Sequence, residues 1–205
     1  MLKSLTSLSV AALLACTAPV IAQDTATPDE SAATEAPVSD PSLDLGQPVQ
    51  EGPRLGERYS KEKHGDWDLA CVKTEEEVDP CSLLQIILDS QGAPMAEFSL
   101  FRIEQQGSPA VAGATVIVPL ETLLSEGLTL SVDGAPAKRY GYSFCNSLGC
   151  VAQIGLVQGD IDAMKKGAEA TLSLRPAPAP DQVINMALSL KGFTAGFNVV
   201  DVVKQ

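Results

Sequence analysis

The chain has 205 residues, with 26 acidic side chains against 14 basic ones, a net charge of −12 and a single histidine. That balance excludes a nucleic-acid surface built on a basic stripe, and no aromatic-basic interleaving occurs. One histidine and no C-x-x-C leave a zinc site without ligands.

The first 24 residues, MLKSLTSLSVAALLACTAPVIAQD, carry one basic residue (Lys3) and an apolar run from Leu8 to Ala15, with Val20 and Ala22 near the end. This pattern predicts a secretory signal peptide over 1–22, cut after Ala22, so that the mature chain begins at Gln23. The apolar run is too short for a permanent anchor, and no later stretch is long enough for a membrane span. A competing reading lies inside it: LLAC resembles a lipobox, with Cys16 as the lipidation site and a lipid anchor as the result. Either reading takes the chain out of the cytoplasm, to the periplasm, the outer membrane or the cell surface.

Residues 23–57 hold eight acidic residues against one basic, Arg54, and no aromatic. A segment so rich in Pro, Ser, Thr and Ala buries too little apolar surface to offset its ordering entropy, which predicts a disordered acidic linker. Residues 58–205 contain all nine aromatics, with 18 acidic and 12 basic side chains. About 150 residues suffice for one well-buried domain.

Within that domain the hydrophobic period is mostly two. GDWDLACV places Trp67, Leu69 and Cys71 on one face, and His64 is read as a surface residue before this first strand. Further strands are predicted at CSLLQIILD, MAEFSLFRI, GATVIVPL, LTLSVD, KRYGYSF, VAQIGL, EATLSLR, VINMALSL and FTAGFNVV. Tyr140, Tyr142 and Phe144 share a face with Lys138 in KRYGYSF, and Asp133–Pro136 forms the preceding turn. Two short helices interrupt the strands. PLETLLSEG runs from Pro119 to Gly127, and GDIDAMKKG has Asp160 as N-cap, Lys165 and Lys166 in the last turn and Gly167 beyond. The pattern is all-β, a sandwich or barrel.

Setting Cys16 aside, Cys71, Cys81, Cys145 and Cys150 form an even set in an oxidising compartment, which implies two disulfides among three connectivities. The local pairing, Cys71 with Cys81 and Cys145 with Cys150, is favoured by geometry at the second pair, because residues i and i+5 of a hairpin with a four-residue loop face each other at about 4.5–5.5 Å. Staples, rather than a redox centre, are the expected role.

Gly65-Asp66-Trp67 with the two following cysteines, VPLETLLSEGLTLSVDG (118–134), FCNSLGCVA (144–152) and LSLKGFTAGF (188–197) together resemble the invasion-associated locus B family of secreted bacterial proteins. The likeness spans about 65–200. It departs at Glu121 and Thr122, where the family pattern has glycine and an aliphatic residue. The resemblance implies an immunoglobulin-like β-sandwich exported to the envelope, in a family linked to host-cell invasion and without catalytic residues to carry over.

The remaining candidates read as ordinary structure. Trp67 is expected in the core beside a disulfide. Glu75, Glu76, Glu77 and Asp79 read as a solvated loop, because no glycine turns them into a calcium loop. Asp160 and Asp162 begin a calcium-like pattern that AMKKG does not continue, and Lys138 and Arg139 are strand-end charges that could touch anionic surfaces. No catalytic, cofactor-binding or metal residues are assigned, since G-x-S-x-G, the P-loop and H-E-x-x-H are all missing. The expected function is non-enzymatic: an exported domain binding an unknown envelope or host protein. The alternatives are a periplasmic small-ligand module and a thiol oxidoreductase using Cys145 and Cys150.

Overall fold

The computed structural model describes residues 46–49, 51–104 and 107–204. The expected signal peptide, Cys16 and residues 23–45 of the expected linker lie outside the described residues. All that follows concerns the unit Gln50–Gln205.

The first strand is one the hydrophobic pattern does not reveal. β1 (Arg58–His64) is almost wholly polar and exposed, and it pairs with β2 (Trp67–Val72) at the margin of a sheet. Its charges suit an edge, where they discourage pairing with another chain. His64 therefore closes a strand instead of preceding one, and its side chain is only 11% exposed. β3 (Cys81–Leu88), β4 (Pro94–Glu104) and β5 (Ala110–Val118) continue the antiparallel meander.

The stretch 119–127 is not the expected helix. Only Leu124–Glu126 forms a single 3₁₀ turn. Glu121 sits at φ 66°, and Thr122 bridges to Pro176. The amide of Leu123 donates to Arg175 O, and that of Ala177 donates to Glu121 O. These tertiary partners, together with the Thr122 hydroxyl donating to Pro119 O at 2.8 Å, take up the backbone groups that a helix would have used.

β6 (Leu128–Val132) and β7 (Lys138–Tyr140) form a hairpin whose turn has Asp133 at φ 47° and Gly134 at φ 74°, the paired left-handed residues of a primed turn. KRYGYSF is not one strand. β7 belongs to one sheet and β8 (Phe144–Asn146) to the other, so the chain changes sheets across 141–143. β8 pairs with β9 (Gly149–Val157), and α1 (Gln158–Lys166) follows directly. In α1 the N-cap is Val157, not Asp160. Asp160 lies in the first turn and accepts the Val157 amide at 3.1 Å.

β10 (Glu169–Leu174) and β11 (Ile184–Ser189) complete the second sheet. FTAGFNVV forms α2 (Phe193–Val199) instead of the expected strand, and β12 (Val202–Lys204) then adds in parallel to β4. The helix wins because Phe193 and Phe197, four residues apart, must both face the core. Gly196 between them lies so close to the Leu83 side chain that a Cβ there would collide with it.

The result is a two-sheet β-sandwich. The larger sheet runs β1-β2-β3-β4-β5-β9-β8 with β12 beside β4, and the smaller runs β11-β10-β6-β7. One core cluster joins Leu83, Phe98 and Leu100 of the large sheet to Leu128, Leu172 and Leu188 of the small one, all fully buried. Each such side chain contributes about 1.5–3 kcal/mol relative to exposure.

Both disulfides form with the local pairing, Cys71–Cys81 and Cys145–Cys150. Each joins neighbouring strands of the large sheet, β2 to β3 and β8 to β9, rather than crossing between sheets. The second hairpin is tighter than expected. Asn146 pairs with Gly149, leaving a two-residue loop of Ser147 and Leu148, and the Cys145 and Cys150 Cα atoms are 4.0 Å apart.

Candidate functional site

The four sequence motifs meet in two pairs, one inside the sandwich and one at its surface. Inside, Gly65-Asp66-Trp67 interlocks with Ser189-Leu190-Lys191-Gly192-Phe193, more than 120 residues away. The Asp66 amide donates to Lys191 O at 3.1 Å, and the Ser189 hydroxyl donates to the Asp66 carboxylate at 2.7 Å. Trp67 is fully buried, its Nε1 donates to Ser189 O at 2.9 Å, and its ring lies 5.4 Å from that of Phe193 and 5.9 Å from that of Phe98.

Gly192, at φ 89°, passes so near the His64 carbonyl that a Cβ there would collide with it. Gln85, a buried polar residue of β3, completes the junction. Its Nε2 donates to Ser189 O at 3.0 Å and its Oε1 accepts the Ser189 amide at 2.8 Å. The junction is therefore a lock between the sheets, with no access for a ligand at Trp67.

The surface pair is different in kind. Val118, which precedes Pro119, pairs with Cys150, and Gly149 at φ 151° lies against the Val118 carbonyl where no side chain fits. This holds the stapled hairpin beside the 119–122 loop. Between them opens a groove of about 450 Å³ lined by Ile86, Pro94, Met95, Ile117, Pro119 and Leu148. Leu148 at the hairpin tip is 78% exposed, and Leu120 and Ile86 are 52% and 40% exposed. A smaller apolar hollow of about 120 Å³, formed with Leu120, Leu174, Pro176 and Ile184, shares Met95 and Pro119 with the groove. Arg58 and Glu97 edge the groove with a two-pronged ion pair at 2.6 and 2.9 Å. Apolar leucine and isoleucine side chains are thus exposed beside a disulfide-tied hairpin and edged by a charged pair.

The other sequence candidates have structural roles. Glu75, Glu76 and Glu77 are exposed, but Asp79 is not a free loop charge. It accepts the Thr74 amide at 2.8 Å, the Tyr59 hydroxyl at 2.8 Å and the Lys73 ammonium at 3.2 Å. The Thr74 amide, then the Tyr59 hydroxyl, hold its carboxyl at about 2 instead of 3.8. It ties the loop between Cys71 and Cys81 to β1.

Asp160 accepts Lys138 Nζ at 2.6 Å, and Asp162 accepts Gln158 Nε2 at 2.8 Å. Among the described residues His64 Nε2 is buried without a hydrogen bond, 3.7 Å from Glu62 Oε1. Among the described residues no three His, Cys, Asp or Glu side chains are grouped to hold a metal ion. Cys150, Cys71 and Cys81 are buried, while Cys145 is exposed. The groove and Gln85 are what sequence reasoning missed. Leu148 inside FCNSLGC, an apolar residue at a polar turn, was the available signal for the first.

No curated protein matches this sequence. Among solved structures, the fold resembles that of invasion associated protein B from Bartonella henselae, with a TM-score of 0.56 at 23% identity over 67% of this chain and 91% of that one. The family model for the invasion associated locus B protein matches residues 67–201, which takes in Trp67, both disulfides, the stapled hairpin and the Ser189–Phe193 segment. On that match the chain belongs to the invasion associated locus B family.

Proposed function

We propose that this protein is a non-enzymatic, exported envelope domain that uses the groove beside the stapled hairpin to bind another macromolecule of the envelope or of a host surface. One observation carries the reading: most side chains lining the groove are apolar and Ile86 and Leu148 among them are exposed, at a place where a disulfide, a paired strand and a side-chain-free Gly149 fix the backbone. A rigid apolar surface costs little entropy to bury against a partner. Two disulfides and the name of the Bartonella henselae structure support export and an envelope or host-facing role. The acidic segment 23–57 would act as the tether.

A photo-crosslinking residue at Leu148, installed in intact cells, tests this against a control at Ala187 on the outer side of the small sheet. A discrete adduct from position 148 alone, lost when Ile86 is changed to Lys, supports the groove. Equal labelling from both positions, or adducts that persist in Ile86→Lys, overturns it.

A further inference from the structure

A second concavity lies away from the apolar groove, on the outer face of the small sheet. Register places Arg139 of β7 beside Thr129 of β6, and Thr129 beside Ser173 of β10. Because strand side chains alternate, these three project outward while Leu128, Leu130, Leu172 and Leu174 face the core. Arg175 follows two residues after Ser173. Gly127, at φ 69°, joins this row in lining a hollow of about 200 Å³. A Cβ at Gly127 would stand 2.6 Å from Tyr140 O and 3.2 Å from Arg139 Cγ, so the chain can pass this close to β7 at the edge of the hollow only with glycine there.

The charges around it are unevenly matched. Two guanidiniums converge on one carboxylate: Glu126 Oε2 is 3.7 Å from Arg139 Nη1 and 3.9 Å from Arg175 Nε, beyond hydrogen-bond length for both. Arg175 is held in place from behind, since its Nη1 donates to Pro180 O at 2.8 Å. Lys138, the neighbouring cation, is already committed to Asp160. The hollow therefore carries a net charge of about +1 in a domain with 18 acidic and 12 basic residues, and its lining offers guanidinium donors that no hydrogen bond among the described residues takes up, with the Thr129 hydroxyl alongside, while the Ser173 hydroxyl already donates to Asn185 Oδ1 at 2.7 Å.

We infer that this hollow is a binding site for a compact oxyanion, a phosphate or carboxylate group, gripped by Arg139 and Arg175, with Glu126 occupying part of the field that the ligand takes over. Paired guanidiniums suit such groups because each presents parallel N–H donors. Glu126 then acts as a built-in competitor, and this gives the proposal a signature that loose surface attraction lacks.

The test is an NMR titration of the full chain with inorganic phosphate in one arm and acetate in the other, at fixed ionic strength, following arginine Nε–H signals. Saturable shifts confined to Arg139 and Arg175 are expected in at least one arm, which identifies the preferred group. Glu126→Gln should tighten binding about fivefold, the size expected from removing one charge at about 4 Å in a water-like dielectric. Arg139→Gln and Arg175→Gln should each weaken it about tenfold, with unchanged backbone spectra showing that the fold persists. Arg139→Lys, which keeps the charge but not the fork, should recover only part. Shifts that never saturate, that appear equally at Arg54, Arg58 and Arg102, or that are indifferent to Glu126→Gln would overturn the site.

Discussion

Replacing Gln85 with Met tests whether the junction between the two family motifs holds the sheets together. Gln85 is 7% exposed and is bonded twice to Ser189, giving from Nε2 at 3.0 Å and receiving at Oε1 at 2.8 Å. Methionine preserves its length and volume and removes both groups. The Ser189 carbonyl still receives Trp67 Nε1, so it keeps a donor, but the Ser189 amide loses its acceptor. The lost bond to the Ser189 carbonyl is worth about 1 kcal/mol, and stranding the Ser189 amide costs roughly 1–3 kcal/mol. The better burial of a thioether returns about 1 kcal/mol. The net expectation is a loss of about 2 kcal/mol, or roughly 6 °C in melting temperature for a domain of this size. Trp67, the only tryptophan, lies in the junction and serves as the fluorescence probe in a urea titration alongside the thermal melt. A loss under about 0.5 kcal/mol, the range of an ordinary surface change, would refute the idea that this polar contact locks the sandwich.

Three further perturbations address the hairpin, the 119–122 loop and the acidic loop. Cys145→Ser/Cys150→Ser opens a loop with a separation of 5 and should lower stability by about 2 kcal/mol in chemical denaturation. Unchanged stability with lost binding would instead mark the thiols as chemically active. Glu121→Gly should raise the melting temperature slightly: it removes about 1–2 kcal/mol of left-handed strain at φ 66°, offset by about 0.5–1 kcal/mol of glycine entropy, and a fall would show that the side chain itself is needed. Asp79, with its folded carboxyl held at about 2, should add stability that is complete above the ordinary 3.8 and fades as pH falls towards 2. Asp79→Asn should therefore flatten the loss of melting temperature between those values, and an unaltered pH profile would count against the loop lock.

Much of the fold was written locally. Alternation in CSLLQIILD, MAEFSLFRI and GATVIVPL became β3, β4 and β5 because a strand with one buried face needs little beyond its own pattern to declare itself. The pairing of Cys145 with Cys150 was equally legible, since hairpin geometry fixes it over a few residues. Asp133-Gly134 marked its turn for the same reason.

The misread elements are those whose partners lie far away in sequence. Residues 119–123 gave up a helix because Arg175 and Pro176 supplied competing backbone partners. Phe193–Val199 carries strand-forming residues, yet it coils because Phe193 and Phe197 must reach one core and Gly196 must clear Leu83. β1 shows almost no apolar pattern, since an edge strand is held by its neighbour's backbone and needs no buried face.

The functional surfaces follow the same division. Leu148, Ile86, Met95 and Pro119 come from separate segments, as do Arg139, Arg175 and Gly127, and no spacing in the sequence joins either set. The sequence by itself determined most of the core strands, the staples and the family motifs, all of which depend on neighbours along the chain. Only the tertiary structure decided which apolar and charged side chains share a concavity, because packing two sheets brings together residues between which the chain records no relation.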